Sequence, residues 1–177
     1  MILCTHAIVG AALASFLPSH PVSAFVLGFA SHFALDAIPH RDYRIRSASV
    51  NPRIGAPVTM DRALLQDAVT IGSDGLFGIT ASLYLFASSP NLWAILLGAV
   101  GAMLPDPLQF VHARLPREPL RTLQQFHVWA HTNRQLKGGA LFGFGAQAAF
   151  VAIVVGITIA IHHGAFDFAL ASLRGSR

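Results

Sequence analysis

The sequence predicts an all-α protein: a polytopic membrane bundle of about five helices, with an amphipathic helix on its cytoplasmic side. Three observations predict it. Of the 177 residues, 54% are apolar and only 11% are charged, whereas a soluble domain carries about 25% charged residues. So few charges cannot cover a water-soluble globule, and lipid is the simpler solvent to assume. Five apolar stretches stand out, at roughly 2–17, 22–38, 67–87, 91–105 and 138–161. The basic residues are segregated between them. The length suits one domain, 1–177.

Each element has its own signals. The first stretch is apolar but lacks the basic leader segment of a cleaved signal peptide, so it is expected to remain as a helix. It is joined to the second by Pro18-Ser19-His20-Pro21, and the third to the fourth by Ser88-Ser89-Pro90-Asn91. Proline in both connections stops the preceding helix. A bilayer core asks for about 20 apolar residues in a helix. The last stretch is ample, while the first, second and fourth are short, which suggests a squat bundle. Small residues recur at four-residue spacing in Ala24/Gly28, Gly98/Ala102 and Gly139/Gly143, a spacing that lets helices approach closely in lipid. Pro119 suits the first turn of a further helix, roughly 119–132, with Phe126 and Trp129 to seat it at an interface.

Charge sets the expected topology. Ten of the 12 Lys and Arg residues fall in two segments, Arg41 to Arg62 and Arg114 to Lys137. Both follow an even-numbered apolar stretch, so they emerge on one side, and the opposite turns are uncharged. Positive loops belong in the cytoplasm, which makes the protein a multi-pass protein of the inner (cytoplasmic) membrane. Arg174 and Arg177 run against this pattern, and residues 165–173 are expected to fold back along the far interface. The net charge of +4 suits loops facing anionic lipid. No basic stripe interleaved with aromatics argues for nucleic acid. The lone Cys4 allows no intrachain disulfide and reads as a small buried hydrophobe.

Ionisable residues within apolar helices are costly and ask for an explanation. Counting from the uncharged turns at about 1.5 Å per residue, His6, His32, Asp36, Asp74 and Asp106 all lie roughly 16–24 Å away, in one layer on the basic side. Four helices contribute to it. His32 and Asp36 are at i and i+4 and share a helix face. His40 and Asp42 follow beyond Pro39. His127 and His131 make a second i, i+4 pair, on a stripe expected to point into the bundle. Mixed His and Asp donors suit zinc, with manganese and iron as alternatives. Each residue also has a simpler role open to it. Asp106 could cap a short helix, Asp42 could pair with an arginine, and Asp67 could be a first-turn aspartate. Arg41, Arg44 and Arg46 could be solvated charges.

The run SHFALDAIPHRDY at 31–43, with His6 before it and LPD at 104–106 after it, resembles the predicted membrane-bound metal-dependent hydrolases. That family is distantly similar to zinc-dependent phospholipase C and its related nucleases. The resemblance covers most of residues 1–131. It implies an α-helical fold with a metal centre acting on phosphate esters, and places His6, His32, Asp36, Asp106, His127 and His131 at ligand positions. Asp74 matches an aspartate near the start of the third helix. The secreted phospholipases of this type use an N-terminal tryptophan as a ligand, where this chain has Met1-Ile2-Leu3.

The expected function is therefore that of an enzyme, a membrane-bound metal-dependent hydrolase. Its partners would be membrane lipid and an anionic substrate, a phospholipid or other lipid-linked phosphate ester. Asp74 would ligate or act as a base, His40 or Asp42 would shuttle a proton, and Arg41 or Arg44 would steady a phosphate. A metal or proton transporter is the alternative from another class. It asks for a polar path across the bundle, yet the far halves of the helices carry almost no ionisable groups. A structural membrane protein with a polar cluster is the third reading.

Overall fold

The computed structural model describes residues 1–47, 61–132, 136 and 139–175, with backbone alone for 165–175. Among the described residues it is all-helical. The helices are α1 (Leu3–Ala14), α2 (Pro21–Asp36), α3 (Arg62–Phe86), α4 (Leu92–Met103), α5 (Pro105–Arg114), α6 (Leu120–Ala130) and α7 (Ala140–Gly175).

The helix ends follow local chemistry. Pro21 opens α2, where a missing N–H costs nothing. Asp61 caps α3 by accepting from the N–H groups of Ala63 (2.8 Å) and Leu64 (3.2 Å), so α3 starts earlier than its apolar run. The fourth apolar stretch continues past Met103 but bends by 47° into α5, where Pro105 and Pro107 withdraw two backbone donors. The last stretch continues as helix to Gly175 and does not fold back at 165–173.

α1 is the centre of the molecule. It packs on α2, α3, α4 and α7, and ten of its 12 residues are buried. Contact with α4 is close enough to exclude side chains. A Cβ on Gly28 of α2 would overlap the carbonyl oxygen of Gly98, and one on Gly10 of α1 would stand 2.5 Å from that same atom. The small-residue spacing at 28 and 98 thus brings backbones together. Gly143 does something else: it receives the side chain of Arg41 and not another helix.

This arrangement corrects the expectation of about five spanning helices. Among the described residues two helices, Arg62–Phe86 and Ala140–Gly164, are long and apolar enough to cross a membrane, or three if bent α4 and α5 form one span. At 12 and 16 residues, α1 and α2 reach only about 18 and 24 Å, against a hydrocarbon core of about 30 Å. α1 is apolar because the bundle buries it, whereas α3 and α7 expose most of their apolar surface.

Candidate metal centre

Asp36 ends α2 with its carboxylate fully buried, and imidazoles from four chain segments surround it. Its Oδ2 lies 3.1 Å from His32 Nε2, 3.1 Å from His127 Nε2 and 3.9 Å from His131 Nε2. Its Oδ1 lies 3.2 Å from His6 Nε2 and 3.8 Å from His40 Nε2, and accepts from the Met1 amino group at 2.9 Å. Asp106, on the first turn of α5, brings Oδ1 to 3.6 Å from His32 and 3.8 Å from His127. Asp42 stands 2.8 Å from His40 Nε2 and 3.5 Å from His131 Nε2.

Local structure explains the convergence. One turn of helix sets His32 beside Asp36. α6 lays His127 against α2, held by Phe126 edge-on to Phe33 at 4.8 Å. Beyond α6 the chain pairs with the segment leaving α2: Thr132 N–H donates to Asp36 O at 2.8 Å, and Leu136 N–H to His40 O at 3.3 Å. That pairing brings His131 over His40, with ring centroids 4.8 Å apart.

The donor atoms form two sets, His32/Asp36/Asp106/His127 and Asp36/His40/His131, each drawn together within 4.8 Å, and either could hold a metal ion. Asp36 belongs to both. The hydrogen bonds behind the rings fit such an ion. His32 Nδ1 faces Ala102 O at 2.8 Å, His40 Nδ1 faces Ile38 O at 2.6 Å, and His131 Nδ1 faces Thr132 O at 2.9 Å. A carbonyl only accepts, so each of these nitrogens carries the hydrogen, and each ring, when neutral, turns a lone pair toward the carboxylates. Lone pair then faces lone pair across about 3 Å in a buried site. His40 Nε2 has no aligned hydrogen-bond partner despite its approach to Asp42. A divalent cation among these atoms resolves the conflict, and the backing carbonyls are what oriented imidazole ligands use.

The remaining candidates are placed as follows. His6 stacks on His32 at 4.0 Å, 21° from parallel. Neither of its nitrogens has a hydrogen-bond partner among the described residues, and it borders the two sets without belonging to either. Asp74, in the same layer by register, turns away from the imidazoles. It accepts from Cys4 N–H at 2.8 Å and from the Tyr43 hydroxyl, and so secures the start of α1. Burial and that bond to Asp74 push the Tyr43 hydroxyl well above its ordinary pKa, keeping it a donor. Burial opposes ionisation of Asp42, yet the adjacent His40 ring and the Met1 ammonium hold its carboxyl below the usual range. Asp67 is no first-turn aspartate: it is buried and accepts from Arg46 N–H, Ser47 N–H and the Ser47 hydroxyl. Arg41 and Arg44 line a cavity beside Asp42.

Two glutamines complete the site without a sequence signal of their own. Gln124, buried on α6, donates to Gln109 Oε1 at 3.1 Å, and Gln109 donates to Asp106 Oδ1 at 3.0 Å. Their only trace is spacing, since Gln109 follows Asp106 by one turn and Gln124 precedes His127 by one turn. His112 is buried on α5 and belongs to neither donor set.

Fold and site together define a helical protein with apolar helices of membrane-spanning length and a buried His/Asp cluster able to hold a divalent metal ion. No protein-family model matches the chain, and no curated protein or solved structure matches it either.

Proposed function

We propose that this protein is a membrane-bound metal-dependent hydrolase acting on a phospholipid or other lipid-linked phosphate ester. The observation that carries this reading is the position of Asp36, which belongs to two donor sets, each of which could hold a metal ion. Paired ions clamp both the attacking and the leaving oxygen of a phosphoryl transfer, and zinc suits the donors best. His32, Asp36, Asp106 and His127 would hold one ion and Asp36, His40 and His131 the other, with His6 packed beneath. His40 thus moves from the expected proton shuttle to a ligand, and Asp42, poised between His40 and His131, is left to take the proton from an attacking water. Asp74 has no part in this scheme. Arg41 and Arg44 add positive charge beside the centre, as a phosphate-bearing substrate requires. The resemblance of residues 31–43 to predicted membrane-bound hydrolases supports the same chemistry, and the segregated arginines support a cytoplasmic face of the inner membrane.

The test is metal analysis and lipid-phosphate hydrolysis on protein purified without a polyhistidine tag. The reading expects one or two equivalents of zinc or manganese, and release of phosphate or phosphorylated headgroup that chelator abolishes. Protein that holds metal at full occupancy but turns over no phosphate ester would make the cluster structural.

A further inference from the structure

Beside the cluster lies a cavity of about 330 Å³, lined by Arg41, Arg44 and Arg46. Of the residues around Asp36, only Asp42 reaches it; none of the histidines does. A phosphate held at the imidazole cluster would therefore sit on one side of Asp42, and the arginines lie on the other. Three cations in a cavity usually find carboxylate partners. Here the guanidinium groups of Arg41 and Arg44 make no ion pair among the described residues. The two carboxylates that line the cavity are already engaged, Asp42 by the Met1 amine and the His40 ring, and Asp67 by the 46–47 backbone and Ser47.

Arg41 is also built in, unlike a loose surface charge. Its carbonyl accepts from Gln147 Nε2 at 2.9 Å, and Gln147 is buried near the start of α7. Its aliphatic stem rests on Gly143, where a Cβ would come within 2.7 Å of Arg41 Cδ. The protein thus fixes the stem of Arg41 and, among the described residues, sets no acid against its head. Ile71 from α3 with Ala140 and Phe144 from α7 form the apolar part of the wall, beside Tyr43, Gln66 and Thr70. Both helices then continue into exposed apolar faces, through Val69 on α3 and Leu141 on α7.

We infer that this cavity is a second phosphate subsite, and that the substrate is an amphiphile whose headgroup carries two phosphate groups, an outer ester at the His/Asp cluster and an inner one against Arg41 and Arg44. The inference rests on the hydrolase reading and names its substrate class. Oxyanions and guanidinium groups pair through charge-assisted hydrogen bonds, and the apolar walls between α3 and α7 give the lipid chains a way out to the bilayer. In the reaction water adds to the outer phosphorus and the bond from that phosphorus to the headgroup oxygen breaks. The headgroup oxygen takes up a proton, and inorganic phosphate leaves.

The experiment compares dioleoyl phosphatidylglycerol phosphate, which has an outer monoester and an inner diester, with dioleoyl phosphatidic acid, which has one phosphate. Full-length, metal-loaded protein in detergent is used. We expect kcat/KM to favour the two-phosphate lipid by about tenfold or more. In Arg41→Gln/Arg44→Gln that ratio should fall toward one, chiefly through KM. Arg44→Gln alone, at an exposed position, should move it the same way if the double variant does not accumulate. A second readout needs no turnover: labelling of Arg41 and Arg44 by phenylglyoxal, mapped by peptide mass spectrometry. The two-phosphate lipid should protect both arginines where the same concentration of inorganic phosphate does not. Equal kcat/KM for the two lipids without protection overturns the subsite and leaves the hydrolase reading standing. Protection without hydrolysis does the reverse. Equal protection by inorganic phosphate overturns the lipid as its ligand.

Discussion

Asp36 and Asp74 are both aspartates on apolar helices at the same end of the bundle, yet they answer opposite needs. Asp74 receives what a structural carboxylate receives: a backbone N–H from Cys4 and the hydroxyl of Tyr43. With Gln147 on the Ile2 N–H and Tyr43 on the Leu3 N–H, it satisfies the first turn of α1, which has no capping side chain of its own. Asp36 is surrounded by ring nitrogens, two of which, on His32 and His40, carry their hydrogen on the far side of the ring. The first arrangement closes its hydrogen-bond ledger within the protein. The second gathers ring nitrogens and carboxylate oxygens at the spacing a bound cation would use. The identity of the neighbouring donors, more than depth in the membrane, separates a structural acid from a ligand.

Exchanging each carboxylate for its amide tests this contrast most severely. Asp36→Asn should reduce bound zinc or manganese to background, because both donor sets lose their common member. Asp74→Asn should keep the metal and lose stability, by about 1–3 kcal/mol for a hydrogen-bond partner removed from buried donors. Thermal unfolding with and without added zinc separates the two. A ligand at a hundredfold excess over its dissociation constant stabilises by about 2.7 kcal/mol, so zinc should raise the midpoint of Asp74→Asn and leave Asp36→Asn unmoved. If Asp74→Asn also lost its metal, the distinction between the two aspartates would collapse.

A smaller effect sharpens the contrast within the cluster. His127 belongs to the set that includes Asp106, and His131 to the set that includes His40. His131 is also the more exposed, at 29% against 2% for His127. His131→Ala should remove the outer ion alone and lower the metal content of a two-ion protein by about half. His127→Ala should release the inner ion and cost more stability, since it also empties a buried position beside Phe33. Equal metal loss in the two variants, with both reaching zero, would indicate a single ion shared by all the donors.

The sequence exposes this cluster unevenly, for physical reasons. His32/Asp36 and His127/His131 are legible because one turn of helix fixes which side chains share a face. The common depth of His6, Asp36, Asp74 and Asp106 is legible because helix rise is constant. Facing partners are not legible that way, so Asp74 falls into the layer although its carboxylate serves α1. The role of Asp67 depends on the chain at 46–47 passing beside α3, a tertiary event without a local signal. Hydropathy fails on α1 for a related reason: a helix buried by protein and one bathed in lipid have the same composition, and only length and neighbours tell them apart. The α4–α5 break is written in Pro105 and Pro107, but prolines there are equally compatible with a helix simply ending.

The smallest expected effect lies at the opposite end of the bundle, where polar groups occur without a cluster. Ser15, buried at the end of α1, donates to Ala12 O at 2.6 Å, and its hydroxyl also meets His162 Nε2 at 2.9 Å. The His162 ring stacks on Phe16 with centroids 4.9 Å apart, and His20 lies exposed in the turn before α2. No carboxylate stands near these rings among the described residues, so each nitrogen needs at most a hydroxyl or water. His162→Phe should keep the stacking, lose one hydrogen bond and cost about 0.5–1.5 kcal/mol, and His20→Ala should cost less. In both variants bound metal should equal that of the wild type. Histidine alone would then be shown not to make a site in this fold; rings backed by carbonyls and aimed at a shared carboxylate do. Loss of metal from His162→Phe at unchanged stability would mean that the two ends communicate, and the contrast between Asp36 and its surroundings would have to extend through α1 to the far turn.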